Sequence, residues 1–446
     1  MVAYGMIGAS LSGVTFMSVP GWVGATQFSY MVVVFGYLAG YAVIATVLLP
    51  LYYRLNLTSI YTYLENRFGW ASYKTGAFYF ILSRAIGASF RMYIVVNVLQ
   101  TFVFDQWGVP FWLTVAVFIF LILLYTYEGG VKTIVWTDTL QTTFMLSALV
   151  LSIILIAGQM NLSFGQICSS VLHSRYSGMI ITDWNAKNHF LKHFFGGMFI
   201  AIAMTGLDQE MMQKNISVKT LKDAQKNMFT FSFILVLVNF LFLSLGILLY
   251  NYSVAQGIPI PEKTDDLFPV IALEHLGTLS AVFFIIGLIS AAYPSADGAL
   301  TALTSSFCID FLGFNKLQRT EKEKKNIRHV VHISFAVLLL LLIVVFRIIN
   351  DDAVISKLFT IASFTYGPLL GLFSFGLITK KSVNDKLVPL ICLFSPVVCY
   401  LINDRSVAWF GGYHFGFEMI ILNGALTFLG LSLISRKNNI SQIGSS

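Results

Sequence analysis

The sequence predicts an all-α polytopic membrane protein in which two inverted five-helix repeats, residues 1–157 and 190–378, are followed by two further helices in 387–435. Three observations carry this. Of 446 residues, 57% are hydrophobic and only 11% charged, with a mean hydropathy of +0.77, far from the roughly one-quarter charged content of soluble domains. Apolar stretches close to the ~20 residues that a bilayer-spanning helix needs recur about twelve times along the chain. Two of them, at matching places in the two halves, are broken by Gly, Ser and Thr.

In chain order the spans are 2–21, 28–53, 76–104, 109–126, 134–157, 193–213, 229–250, 278–309, 329–347, 356–378, 387–403 and 418–435. Span one contains Gly5, Gly8, Ser10, Ser12, Gly13, Thr15 and Pro20 and makes a poor continuous helix. Irregular backbone at membrane depth survives only where its freed carbonyls meet protein, water or an ion. Span six, GGMFIAIAMTGLDQEMMQKN, repeats the pattern with Thr205, Gly206 and Asp208. Paired interrupted helices point to a transporter of inverted repeats with a site at mid-membrane.

Between them, Asn56 to Gly69 forms a polar, amphipathic connection, and span three carries Arg84 and Arg91 on one face. Span five opens with Asp138 just inside the membrane. Residues 158–190 and 251–267 form two outer loops, the second acidic. Span eight changes character at Gly287 to Asp310, GLISAAYPSADGALTALTSSFCID. An ionisable Asp297 inside a span is by default a functional residue. Ser290, Ser295, Thr301, Thr304, Ser305 and Ser306 supply the oxygens that a hard cation takes. Close packing of two helices on small residues is the other account, and it explains Ala and Ser better than an Asp near a Pro.

The run Arg319 to Arg328 reads as a solvated loop. In span ten, SFTYGPLLGLF places Gly367 and Pro368 where they are expected to interrupt the helix. The Phe and Tyr stripes read as lipid-facing or core, and the last eleven residues as a disordered tail.

The net charge of +7 concerns topology rather than nucleic acid, because Lys and Arg accumulate in cytoplasmic loops. Alternate connections collect most of them, including Arg54, Arg67, Lys74, Lys214, Lys222, Lys316, Lys324 and Arg436. This orients span one from inside to outside and makes the C-terminus cytoplasmic. Cys168, Cys308, Cys392 and Cys399 show neither a disulfide framework nor metal spacing. No basic segment precedes span one, so no cleavable signal peptide is expected.

With these residues the chain resembles the sodium/solute symporter family, the sodium-coupled transporters of sugars, proline, sialic acid, iodide and monocarboxylates. SLSGVTFMSVPG, TSIYTYLENRFG, GGVKTIVWTD, GLDQEMMQKN, ADGALTALTSSFCID and YGPLLGLF carry the resemblance, in the family's order and over essentially the whole chain. It implies a leucine-transporter-like fold, with the family's N-terminal helix missing here, and sodium-coupled symport of a small organic solute across the cell inner membrane by alternating access.

The resemblance also implies a sodium site from the backbone of Gly8, Leu11 and Ala291 with Pro294 and Ser295. Relatives usually carry two adjacent hydroxyl residues at the last two positions. Pro294 has no side-chain oxygen, but by removing an amide donor it frees a carbonyl one turn earlier. Asp138, with positions 297 and 298 (Asp297 and Gly298 here), matches a second ion site of some relatives. Two carboxylates facing one cavity need a cation or a shared proton; alternatively Asp138 caps its helix or pairs with a nearby Arg or Lys. Ser10, Ser12 and Thr15, with Met204 and Thr205, match substrate-contacting positions. Arg91 is a partner for a carboxylate substrate or for a protein Asp.

Two other classes compete. An intramembrane enzyme would use Asp138 and Asp297 as a pair, but the sequence shows no metal cluster and no nucleophile with a base. A solute sensor would need a signalling domain, for which the few residues after span twelve leave no room.

Overall fold

The computed structural model describes residues 6–8, 10–57, 59–126, 131–314, 318–349 and 354–436, without the side chains of 125, 131–136 and 349. The first residues of span one, Gly129 and Gly130 of the GGVKTIVWTD motif, Lys316 and the tail from 437 lie outside these described residues. Among them, regular structure is helical apart from a two-residue antiparallel pairing of Ser382–Val383 with Ser435–Arg436.

Backbone polar groups in lipid must be satisfied within the chain, which leaves helices as the means of crossing for such apolar segments. Helices occupy the predicted spans in order, with two more, α4 and α8, inside the 56–69 connection and the 158–190 loop: α1 Gly13–Thr26, α2 Tyr30–Val43, α3 Leu49–Leu55, α4 Thr62–Arg67, α5 Trp70–Leu99, α6 Phe111–Thr126, α7 Val131–Gln159, α8 Phe164–Leu172, α9 Phe190–Ala201 and α10 Gln209–Ile216. They continue with α11 Leu221–Gln256, α12 Gly277–Ser306, α13 Glu321–Ile349, α14 Val354–Ile378, α15 Val388–Trp409 and α16 Met419–Leu433. Eight helical runs among the described residues are long and apolar enough to span a membrane, nine if α9 and α10 count as one bent span; α6 and α16 are apolar but shorter.

The packing has a reciprocal pattern. The first helix of one half lies on the second helix of the other: α1 packs on α11, and α9 on α2. In the same way α7 packs on α12 and α14 on α5, while α5 and α12 meet each other.

Two expectations are corrected. Gly367 and Pro368 do not interrupt α14, which runs through both. Proline leaves the carbonyl four residues earlier without its amide partner, and the Asn423 side-chain amide on α16 donates to that carbonyl, Phe364 O, at 2.9 Å and to Ser363 O at 3.0 Å. Gly367 is what lets Asn423 so close, since a Cβ there would strike its amide. The basic run is not a loop throughout: from Glu321 it forms the exposed first turns of α13.

Candidate functional site

Both expected breaks occur. Helical residues before Leu11 and α1 after it are separated at Leu11–Ser12, where Ser12 is extended (φ −108, ψ 178). The second break follows a wide turn over Ile202–Gly206, and α10 leaves at 69° to α9. Carbonyls released there are taken up by the Asn56–Gly69 connection and its neighbour: Tyr52 Oη donates to Gly206 O at 2.9 Å and Tyr61 Oη to Leu207 O at 2.8 Å. Gln209 Oε1 accepts from Ile60 N at 2.9 Å. This TSIYTY stretch therefore stabilises an unwound backbone that would otherwise hold buried, unpaired carbonyls.

Between the two breaks lies a cavity enclosing about 730 Å³ of space, part of it continuous with solvent. It brings together all six sequence-predicted solute residues, Ser10, Ser12, Thr15, Arg91, Met204 and Thr205. The rest of its polar wall is Arg84 with Tyr30, Tyr37, Tyr41 and Asn239, and the last four were missed by sequence reasoning. The aromatic stripe of α2 is thus not merely packing. Its signal was the spacing of seven and then four, which aligns three hydroxyls on one helix face; Tyr30 and Tyr37 share a hydrogen bond of 3.1 Å.

The two arginines of α5 have different fates. Arg84 is buried and its guanidinium is paired with Glu210, with Asp208 3.7 Å away. Both line the cavity, but among the described residues no carboxylate forms an ion pair with Arg91, whose Nε is buried without a hydrogen-bond partner.

Of the expected sodium ligands, Leu11, Ala291 and Ser295 are almost completely buried, as are Gly8 and Pro294. α12 passes Pro294 without a break. Ser295 lies between two fixed contacts of that helix, Gly287 against Phe16 of α1 and Gly298 against the Glu210 carboxylate. Its hydroxyl is buried with no partner, a costly state for a polar group and one that a bound cation relieves.

Asp138 has a protein cation beside it. Lys214, counted from the sequence among loop cations, is instead buried on α10 with its ammonium 3.3 Å from Asp138 Oδ2 and 3.1 Å from Glu210 Oε1. Side-chain exposures of 1% for Asp138, 7% for Glu210 and 11% for Lys214 mark these as desolvated pairs. Glu210 and Lys214 were legible as an i, i+4 pair but were hidden in a segment read as the end of a span. Gly8 packs against Thr142 and the Asp138 carbonyl, which brings the start of span one to this cluster.

Residues 1–386 match the model of the sodium:solute symporter family. The chain is 22% identical over 379 residues to the sodium/sialic acid symporter SiaT of Proteus mirabilis, covering 84% of this chain and 75% of that protein. It is 25% identical over 390 residues to the sodium-coupled monocarboxylate transporter 1 of Mus musculus, covering 84% and 62%. Among solved structures, a substrate-bound, outward-open sodium-coupled sialic acid symporter superposes with a TM-score of 0.81 at 19% identity, over 98% of this chain and 90% of that one. The inward-facing conformation of Mhp1 gives 0.52 at 16% identity, over 96% and 88%.

Proposed function

The chain belongs to the sodium:solute symporter family, and from that premise we propose that its central cavity takes up an anionic small solute, one bearing a carboxylate, driven by sodium bound between the first span and α12. The family is one of transporters and not of enzymes, and sodium is the coupling ion of this multi-pass membrane protein. One charge entering down 100 mV contributes about 2.3 kcal/mol, and symport couples that to solute accumulation.

The observation that carries the solute class is Arg91. A guanidinium facing a cavity without a protein carboxylate invites a bidentate anion, whereas the neighbouring Arg84 is already paired. Tyr37, Tyr41, Ser12, Thr205 and Asn239 would hold the solute's hydroxyl or amide groups, and Met204 its apolar part. Sodium is assigned to the carbonyls of Gly8, Leu11 and Ala291 and to Ser295, with the carbonyl freed by Pro294 in place of a second hydroxyl.

The reciprocal packing of α1 with α11 and of α9 with α2 supports two inverted halves, 1–157 and 190–378, with 387–435 appended. The Lys- and Arg-rich connections and the C-terminus face the cytoplasm of the inner membrane, by the loop asymmetry.

Proteoliposomes with an inward sodium gradient and a panel of radiolabelled carboxylates, polyols and amines test the reading. Accumulation of a carboxylate is expected, falling at least tenfold in Arg91→Met and partly restored in Arg91→Lys. Accumulation of an uncharged solute, unaffected by Arg91→Met, would overturn the assignment.

A further inference from the structure

The cluster around Lys214 is more than a clamp between helices. After the bend that ends α9, Asp208 caps α10 by accepting from Met211 N at 3.1 Å, which starts the helix so that Glu210 and Lys214 stand one turn apart on one face. Lys214 Nζ reaches Asp138 of α7 and Glu210 together. The Glu210 carboxylate lies directly against Gly298 of α12, where a Cβ would strike it. Asp297, the adjacent residue, is fully buried and within electrostatic reach of the same ammonium. The three positions that the family resemblance matches to a second ion site, Asp138, Asp297 and Gly298, are therefore gathered around one side-chain cation.

An ammonium and a sodium ion are both compact monovalent cations that seek several oxygens. Lysine brings a strongly hydrated point charge on a flexible stem, so once buried it requires carboxylates around it as an alkali ion does. With Nζ 3.1 and 3.3 Å from two of them, no room is left between those oxygens for a second cation, and like-charge repulsion at such a distance opposes one nearby. Asp138 keeps an acceptor: its Oδ1 is buried with no hydrogen-bond partner. The donor set thus has spare capacity for a cation with more coordination positions than an ammonium has protons.

We propose that the Lys214 ammonium is the permanent occupant of the second ion position, so that the transporter binds a single sodium ion and removal of this side chain opens a second cation site on Asp138, Glu210 and Asp297. The proposal rests on the sodium site assigned at Ser295. Because the cation is carried by α10, it moves with the bent half of its span and cannot be released to either side, which fixes the coupling ratio in the chain itself.

Equilibrium binding of radioactive sodium to the purified full-length protein, with sodium chloride as the only probe and choline chloride as the replacement salt, decides the matter without knowledge of the solute. Wild type is expected to bind one sodium per chain and Lys214→Ala two, with the additional ion lost again in Lys214→Ala combined with Asp138→Asn. Lys214→Arg is expected to stay at one. Two sodium ions on wild type would overturn the proposal, as would a folded Lys214→Ala that still binds one. If that variant does not fold, the wild-type count still decides between one and two. No sodium on wild type would overturn both this proposal and the assignment on which it rests, whereas a count of two would leave the Ser295 site standing.

Discussion

Ser295 is a hydroxyl buried in α12 with nothing to bond to, although Ser and Thr inside a helix can usually satisfy themselves on the preceding turn. Thr304, nine residues on, does so on Leu300 O at 2.7 Å. A hydroxyl that forgoes this bond is held ready for another ligand. Ser295→Ala is therefore expected to raise the sodium concentration for half-maximal uptake by a factor set by about 1 to 3 kcal/mol, with no loss of folded protein. Uptake measured against sodium concentration checks this, and an unchanged half-saturation would make Ser295 a packing residue. At this scale the sequence was informative where a residue type is anomalous for its surroundings, such as Ser, Arg or Asp inside an apolar span. It was silent on pairing. Arg84 and Arg91 look alike in sequence, and only the bend that brings Asp208 and Glu210 to Arg84 separates a structural arginine from one open to a ligand.

At the scale of elements, the breaks in spans one and six were legible because Gly, Ser and Thr at membrane depth signal irregular backbone. Gly367 and Pro368 gave the same signal in span ten, where α14 nevertheless continues. The difference is a partner: Asn423 of α16 supplies the donor that Pro368 lacks, and no local pattern announces a side chain that arrives from another helix. Asn423 is itself held in place, with its Oδ1 accepting from Ser395 on α15, so α14, α15 and α16 are joined by one polar node in an apolar environment. Asn423→Leu is expected to lower the thermal midpoint in detergent, since Phe364 O loses its donor at a cost of about 1 to 3 kcal/mol. Pro368→Ala in the same background should recover part of that loss by restoring the backbone bond. Melting curves of the two single variants and the double variant form the test, and strictly additive losses would show that Asn423 does not act through the proline.

For the molecule as a whole, alternating access requires contacts between helices to form in one state and open in another, and the segment between α11 and α12 packs against α1, whose Val14 and Thr15 line the cavity. Its backbone at Thr264 and Asp265 lies so close to α1 that a Cβ on Gly21 would strike it. Phe268 is wedged between Phe16 of α1 and Phe284 of α12, with ring centroids 5.2 and 4.9 Å apart. The Asp265 carboxyl is buried in this contact, accepting from Val354 N at 2.9 Å, with Ser18 of α1 beside it. Burial pushes this carboxyl up to about 6, against the lowering effect of the Val354 N–H bond. A group whose value is raised on docking stabilises the docked state fully below its ordinary carboxylate value, and that contribution is lost as pH rises through about 6. Docking of this segment on α1 should therefore tighten as pH falls from 7.5 to 5, a range chosen to bracket that value. Asp265→Asn, which keeps the size and an acceptor but removes the charge, should be docked to the same extent at both ends. Hydrogen exchange of the peptide spanning Thr264 to Val270, corrected for the intrinsic pH dependence of exchange, is expected to show greater protection at the acidic end in wild type and a flat profile in the variant. Equal protection of wild type at both pH values would mean that Asp265 stays charged in the contact and that proton uptake has no part in docking this segment on α1.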